Sequence, residues 1–142
     1  MSIYADTSFL VSLYVLDSNS QAAAGRMARA SLPVLITRLV ELELINAISL
    51  CLFRGEISAS KARTARSLIV RDEAEGILLI NAIPPGLFAR AKQIARRRTP
   101  HLGTRTVDIL HVASALLLRV DTIFTFDRVQ EKLAIAEGLQ IG

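Results

Sequence analysis

The sequence predicts an α/β protein in which helices cover both faces of a mainly parallel sheet of four to five strands. Three observations carry this. Short strand-like runs at 3–5, 34–36, 77–80 and 122–125 alternate with longer segments of helical periodicity. No two of these runs are joined by a tight hairpin turn, so the connections are crossovers of the βαβ kind. The run 34–36 is apolar without alternation, as suits a strand buried on both faces. A chain of 142 residues with 51% hydrophobic and 21% charged residues can fill one core, so a single domain over 1–142 is expected.

Taken in order, residues 3–5 end a short strand that Asp6 closes, and 9–13 open an apolar helix. Asp17-Ser18-Asn19-Ser20 is a polar break before an Ala-rich helix over 21–29, and Pro33 ends that region. Thr37 caps a helix over 39–53 that is apolar almost all round, which predicts burial on more than one face. Gly55 stops it. Ser58 caps an amphipathic, highly charged helix that runs to 75, and Gly76 closes it before the third strand. Pro84-Pro85 start a helix with Leu87, Phe88, Ala91 and Ile94 on its apolar side. It finishes in the block Arg96-Arg97-Arg98, and 100–103 reads as a loop. Thr104 or Thr106 caps the helix over 107–120. The β-branched run 122–125 is the fourth strand. A last helix runs to 137, Gly138 closes it, and 139–141 is an edge strand.

Four carboxylates stand out by position. Asp6 and Asp127 each follow a strand, which places both at the carboxyl edge of the sheet, where open α/β folds bind ligands. Asp108 lies in the first turn of its helix, where the dipole stabilises a negative charge by roughly 0.3–1 kcal/mol. Each has a plainer reading: Asp6 as an N-cap, Asp127 with Gln130 as a capping box, Asp108 as a first-turn acid. Glu43 shares a helical stripe with Leu39, Asn46 and Leu50 among apolar neighbours. No Lys or Arg stands three or four residues from it, so its partner must come from elsewhere in the fold. Clustered acids without a counter-charge would take up protons, and a divalent ion removes that problem. Oxygen-only ligands suit Mg²⁺ or Mn²⁺, and no Cys or His set has zinc spacing.

Other signals narrow the field. There is no dinucleotide fingerprint, P-loop or nucleophile elbow. His111, one turn after Asp108, fits either a place facing the site or a core contact, and Ser8 reads as a cap or a supporting hydroxyl. The net charge of +4 is concentrated around Arg96, Arg97, Arg98 and Arg105. That block suits a polyanionic partner such as nucleic acid, or equally a solvated helix end. Aromatics do not interleave with it and there is no Trp, which argues against a base-stacking platform. The lone Cys51 excludes an internal disulfide and suits a reducing compartment. No apolar run approaches a bilayer span, and the expectation is a soluble cytoplasmic protein without a membrane partner.

With these pieces in hand the chain resembles the PIN-domain family, and within it the VapC-type ribonuclease toxins of toxin–antitoxin pairs. The resemblance rests on Tyr4-Ala-Asp6-Thr-Ser8, Glu43-Leu-Ile-Asn46-Ala47, the segment from Arg105 through Asp108 and His111 to Ala115, and Thr125-Phe-Asp127 followed by Gly138-Leu139. They stand in the family's order and span nearly the whole chain. The resemblance implies a three-layer α/β/α fold and metal-assisted hydrolysis of RNA phosphodiesters. It also implies one or two Mg²⁺ or Mn²⁺ ions held by Asp6, Glu43, Asp108 and Asp127. Glu43, and not Glu41, matches the family acid; the fourth acid varies in the family, and Glu131 is an alternative contributor there. Thr7, Ser8, Asn46, His111 and Thr125 are expected to support the acids from behind. A cognate antitoxin covering the acidic pocket and a homodimer are the implied partners. Two other classes are compatible with the same residues: a catalytically silent binding module of this fold, and a Mg²⁺-dependent phosphatase acting on a small molecule.

Overall fold

β1 (Ile3–Ala5), β2 (Val34–Thr37), β3 (Leu78–Asn81), β4 (Thr122–Phe124) and β5 (Gln140–Ile141) form one sheet in the computed structural model, which describes residues 1–142. Every pairing is parallel and the order is β3-β2-β1-β4-β5. The chain therefore builds outward from β1 through β2 to β3, then returns to the other side of β1. This reversal makes the crevice between the carboxyl ends of β1 and β4 the topological switch point, the place where such sheets bind ligands. Ala5 pairs with Phe124 in register, so the residues just past them, Asp6 and those of the 125–127 loop, emerge side by side.

Seven helices connect the strands. α1 (Thr7–Tyr14), α2 (Ser20–Ala28), α3 (Arg38–Phe53) and α4 (Ala59–Ala74) pack among themselves. α5 (Leu87–Leu102), α6 (Thr106–Leu117) and α7 (Arg128–Ala136) form a second group. With the sheet between them, the result is the expected three-layer α/β/α arrangement. The core is one cluster of 28 buried apolar residues that crosses the sheet. β1 is its deepest part, with all three residues fully buried. Phe9 of α1 packs on Phe124 and Phe126, with ring centroids 4.8 and 5.5 Å away, and so clamps α1 onto the segment that follows β4.

Three local expectations change. α3 buries only Val40, Leu44 and Ile48; Leu42, Ile45 and Phe53 face outward, with Phe53 87% exposed. The helix lies on the outside of its layer, so only the stripe toward the sheet, α1 and α4 is covered. Pro100 is not in a loop but in the last turn of α5. Proline lacks one N–H but already has a helical φ. The helix continues to Gly103, whose left-handed backbone (φ 63°) lets its N–H close on the Thr99 carbonyl at 2.9 Å. Thr37 stands at the N-cap of α3 with its backbone, but its hydroxyl makes no capping bond.

The one-sided burial of α3 gives a direct test. Leu44→Ala should destabilise the protein by about 2–5 kcal/mol, because it empties a fully enclosed site. Leu42→Ala should stay within about 0.5 kcal/mol, as surface changes do. Chemical denaturation of the two variants measures both values; equal losses would mean that the outer face of α3 is also covered.

Candidate active site

Asp6 is the N-cap of α1 and more than that. Its N–H extends the β1–β4 ladder to the Phe124 carbonyl at 3.1 Å. Its Oδ1 accepts the Phe9 N–H at 2.9 Å, the capping bond, and the Ser8 hydroxyl at 2.7 Å. Its Oδ2 accepts the Thr125 hydroxyl and the Gln130 amide, each at 2.5 Å. The cap residue thus also joins α1 to the loop after β4 and to α7. Burial pushes the Asp6 carboxyl above its ordinary value of 3.8, against the hydrogen bonds from Thr125, Phe9 and Ser8 that favour its charge.

Ser8 and Thr125 lock this corner together. The Ser8 hydroxyl also accepts the Phe126 N–H, and the Thr125 hydroxyl accepts the Asp127 N–H, both at 3.0 Å. Asp127 then caps α7 by accepting the Gln130 N–H at 3.0 Å. The expected capping box is only half formed. The Gln130 side chain does not return to Asp127 but crosses to Asp6.

Glu43 projects from α3 toward the same crevice. Its Oε1 accepts the Thr7 hydroxyl at 2.9 Å and lies 2.7 Å from Nε2 of His111, while Oε2 has no protein donor. Burial resists the charge, but the hydrogen bonds from His111 and Thr7 outweigh it and hold the carboxyl below its ordinary range. The distant partner that the sequence required is therefore His111 of α6. Asp108, in the first turn of α6, accepts the Arg105 N–H on Oδ2 at 3.1 Å and leaves Oδ1 without a donor. The Arg105 guanidinium bridges Asp108 at 3.4 Å and Asp127 at 3.2 Å.

Asp6, Glu43, Asp108 and Asp127 all line one cavity of about 440 Å³, together with Arg105 and Gln130. Four carboxylates thus face one guanidinium, an excess of negative charge suited to a cation. No three of the chain's acidic, histidine or cysteine side chains converge closely enough to enclose an ion unaided. The two oxygens without protein donors, Glu43 Oε2 and Asp108 Oδ1, nevertheless belong to residues that line this cavity. One or two carboxylates with several retained waters is how Mg²⁺ is usually held. The oxygen-only donor set therefore fits a hydrated Mg²⁺ or Mn²⁺.

The PIN domain family model matches residues 3–136. The chain belongs to the PIN domain family. No curated protein matches it at the sequence level. Its fold is similar to VapC20 of Mycobacterium tuberculosis, described as a toxin that cleaves the sarcin–ricin loop. The TM-score is 0.71 at 18% identity, over 98% of each chain. It is also similar to FitAcB from Neisseria gonorrhoeae, with a TM-score of 0.65 at 16% identity over 98% of this chain and 95% of that one. At these identities the likeness establishes the shared fold.

Within this PIN fold the remaining predicted residues have diverse places. Thr7, Ser8, His111 and Thr125 each bond to one of the acids. Asn46 is exposed and makes no side-chain hydrogen bond, and Glu131 does not line the cavity. Glu41 turns away and pairs with Arg38 at 3.5 Å. In the arginine block, Arg97 and Arg98 both grip Glu137 at the end of α7, and Arg98 also donates to the Ala136 carbonyl at 2.7 Å. They thereby tie α5 to α7, and only Arg96 of the three has no acidic partner.

Two contributors had no distinct sequence signal. Gln130 was visible only as the fourth residue of a capping box. Arg26 of α2 lies 4.7 Å over the Phe126 ring and donates to the Thr125 carbonyl at 3.3 Å, which steadies the loop that carries Asp127.

The Asp6 environment predicts a pH-dependent stability. A carboxyl raised in the folded state favours folding most below its unfolded value, and that contribution fades as pH rises from about 3.8 toward the folded value. Asp6→Asn keeps the shape and the cap, and removes the titration. The metal-free variant should therefore gain in melting temperature relative to wild type as pH rises from 4 to 7. Parallel thermal melts across that range check it, and a constant difference would contradict the burial argument.

Proposed function

We propose that this chain is a Mg²⁺- or Mn²⁺-dependent ribonuclease that hydrolyses RNA phosphodiester bonds, the toxin of a toxin–antitoxin pair. The observation that carries the reading is that Asp6, Glu43, Asp108 and Asp127, far apart in sequence, line one cavity at the switch point of a PIN fold. The fold shared with VapC20 supports the toxin assignment. In this reading Glu43 and Asp108 would hold the ion. Asp6 and Asp127 set the negative field and fix the loop positions. When bound, the ion neutralises phosphate charge and activates water. Arg105, 75% exposed, neutralises Asp108 and Asp127 in the absence of ion and is free to turn to an RNA phosphate. Arg96 offers a further phosphate contact. Such contacts position RNA without reading its sequence.

The partners follow the same logic. A cognate antitoxin segment covers the acidic cavity, and two copies of the chain form a homodimer. No helix is long and apolar enough to cross a membrane. One observation favours a second reading. Every acceptor position of Asp6 is filled by a protein donor, as in a silent binding module of this fold.

Metal binding and cleavage separate the two readings. Purified protein should cut RNA with Mg²⁺ or Mn²⁺ and stop when EDTA is added. Asp6→Asn, Glu43→Gln and Asp108→Asn should each lose about a hundredfold or more, since even outer partners of metal ligands are worth about 10–100-fold. Glu41→Gln should cut at the normal rate. A folded Asp6→Asn protein of full activity would remove the active-site assignment, cleavage that survives EDTA would remove the metal dependence, and no cleavage by the wild type would remove the nuclease reading.

For RNA binding, Arg96→Ala should reduce the salt slope of affinity by about one. Arg97→Ala and Arg98→Ala should instead lower stability through the Glu137 contacts. Binding titrations at several salt concentrations, with melts alongside, distinguish these effects.

A further inference from the structure

We propose that His111 is a positioning residue for Glu43, and that Tyr4, buried in the central strand, sets the tautomer with which it does so. The inference rests on the reading of the acidic cavity as a divalent-ion site. It concerns what makes one oxygen of Glu43 available there.

The geometry is a chain of hydrogen bonds running from the core to the cavity. His111 is 3% exposed and uses both ring nitrogens: Nε2 meets Glu43 Oε1 at 2.7 Å, and Nδ1 meets the Tyr4 hydroxyl at 3.0 Å. Tyr4 is fully buried, and its phenol keeps its proton at neutral pH as phenols ordinarily do. Two other buried hydroxyls, Thr37 Oγ1 and Ser114 Oγ, lack a well-formed partner and lie beside the Tyr4 oxygen. Both can turn their hydrogens toward it. The Tyr4 oxygen then accepts from this side, and its own proton is directed to Nδ1. With Nδ1 accepting, the ring carries its proton on Nε2, where it faces Glu43.

This matters because Glu43 is a long, flexible side chain whose ordering costs rotamer entropy. Nε2–H and the Thr7 hydroxyl both bind Oε1, from α6 and α1 respectively. Held by one oxygen, the carboxylate presents Oε2 to the cavity already oriented. Ligating carboxylates fixed in this way are a general requirement of metal sites, and loss of such a partner typically lowers affinity by about 10–100-fold.

The test uses two near-isosteric replacements that differ only in which ring nitrogen they mimic. His111→Gln places an amide N–H near Nε2 and can still donate to Glu43. His111→Asn places its amide near Nδ1, beside Tyr4, and cannot reach Glu43. Calorimetry with Mn²⁺ should give near wild-type affinity for Gln and affinity about 10–100-fold weaker for Asn. Crystal structures of the metal-free variants should show Glu43 keeping its torsions in the Gln protein and abandoning them in the Asn protein. Tyr4→Phe, which keeps the packing and frees the tautomer, should weaken Mn²⁺ binding in the same direction and serves if the Asn variant does not fold. Equal Mn²⁺ affinities for folded Gln and Asn variants, or an unmoved Glu43 in the Asn protein, would overturn the proposal. Wild-type protein that binds no Mn²⁺ would instead sink the metal reading of the cavity, while the Glu43 torsions would still decide the positioning role.

Discussion

The Asp6 carboxylate accepts hydrogen bonds from the α1 backbone, from Ser8, from Thr125 and from Gln130, and the rest of the site is built around that hub. A buried carboxylate is costly unless its acceptor positions are filled, so all four donors must be in place for the charge to survive. They come from the start of α1, the loop after β4, and the first turn of α7. Satisfying Asp6 therefore fixes three separate segments against one another. The position of Asp127 follows, because its own N–H bonds to the same Thr125 hydroxyl that donates to Asp6.

The other acids are placed by other elements, and each meets donors from its own surroundings. Asp108 and Asp127 share the Arg105 guanidinium, while Glu43 has the imidazole of His111. The protein thus tolerates four carboxylates around one cavity without enclosing a metal, because each has its own donor. The arrangement leaves just two oxygens, Glu43 Oε2 and Asp108 Oδ1, without protein donors. In the proposed function, these two oxygens are the ones that would face a hydrated cation and the phosphate it attracts.

The basic residues divide by the same principle. Contiguity in sequence suggested one phosphate-binding block, but successive residues on a helix point about 100° apart. Arg97 and Arg98 reach Glu137 and the end of α7, where cations also complement the helix dipole. Arg96 turns elsewhere. Arg105, nine residues after Arg96 and on another element, is the one that enters the acidic cavity.

Much of this was legible in the sequence. The alternation of short apolar runs with helical segments determines a parallel sheet, because such strands cannot be joined except by crossovers and helices must cover both faces. The strand–acid junctions at Asp6 and Asp127 determine that both lie at the same sheet edge, and the family motifs distinguish Glu43 from Glu41. Only the tertiary structure decided the rest. Order β3-β2-β1-β4-β5 puts Asp6 beside the loop of Asp127, and strand order leaves no local trace in the chain. The partner of Glu43 lies 68 residues away on α6, so no helical spacing could name it. Gln130 fits a capping box by spacing, yet its amide crosses to Asp6 because the buried carboxylate has the stronger demand for a donor. The apolar residues of α3 predicted burial all round, but which of them are covered depends on where the helix lies in its layer, and that is set by its neighbours rather than by its own residues.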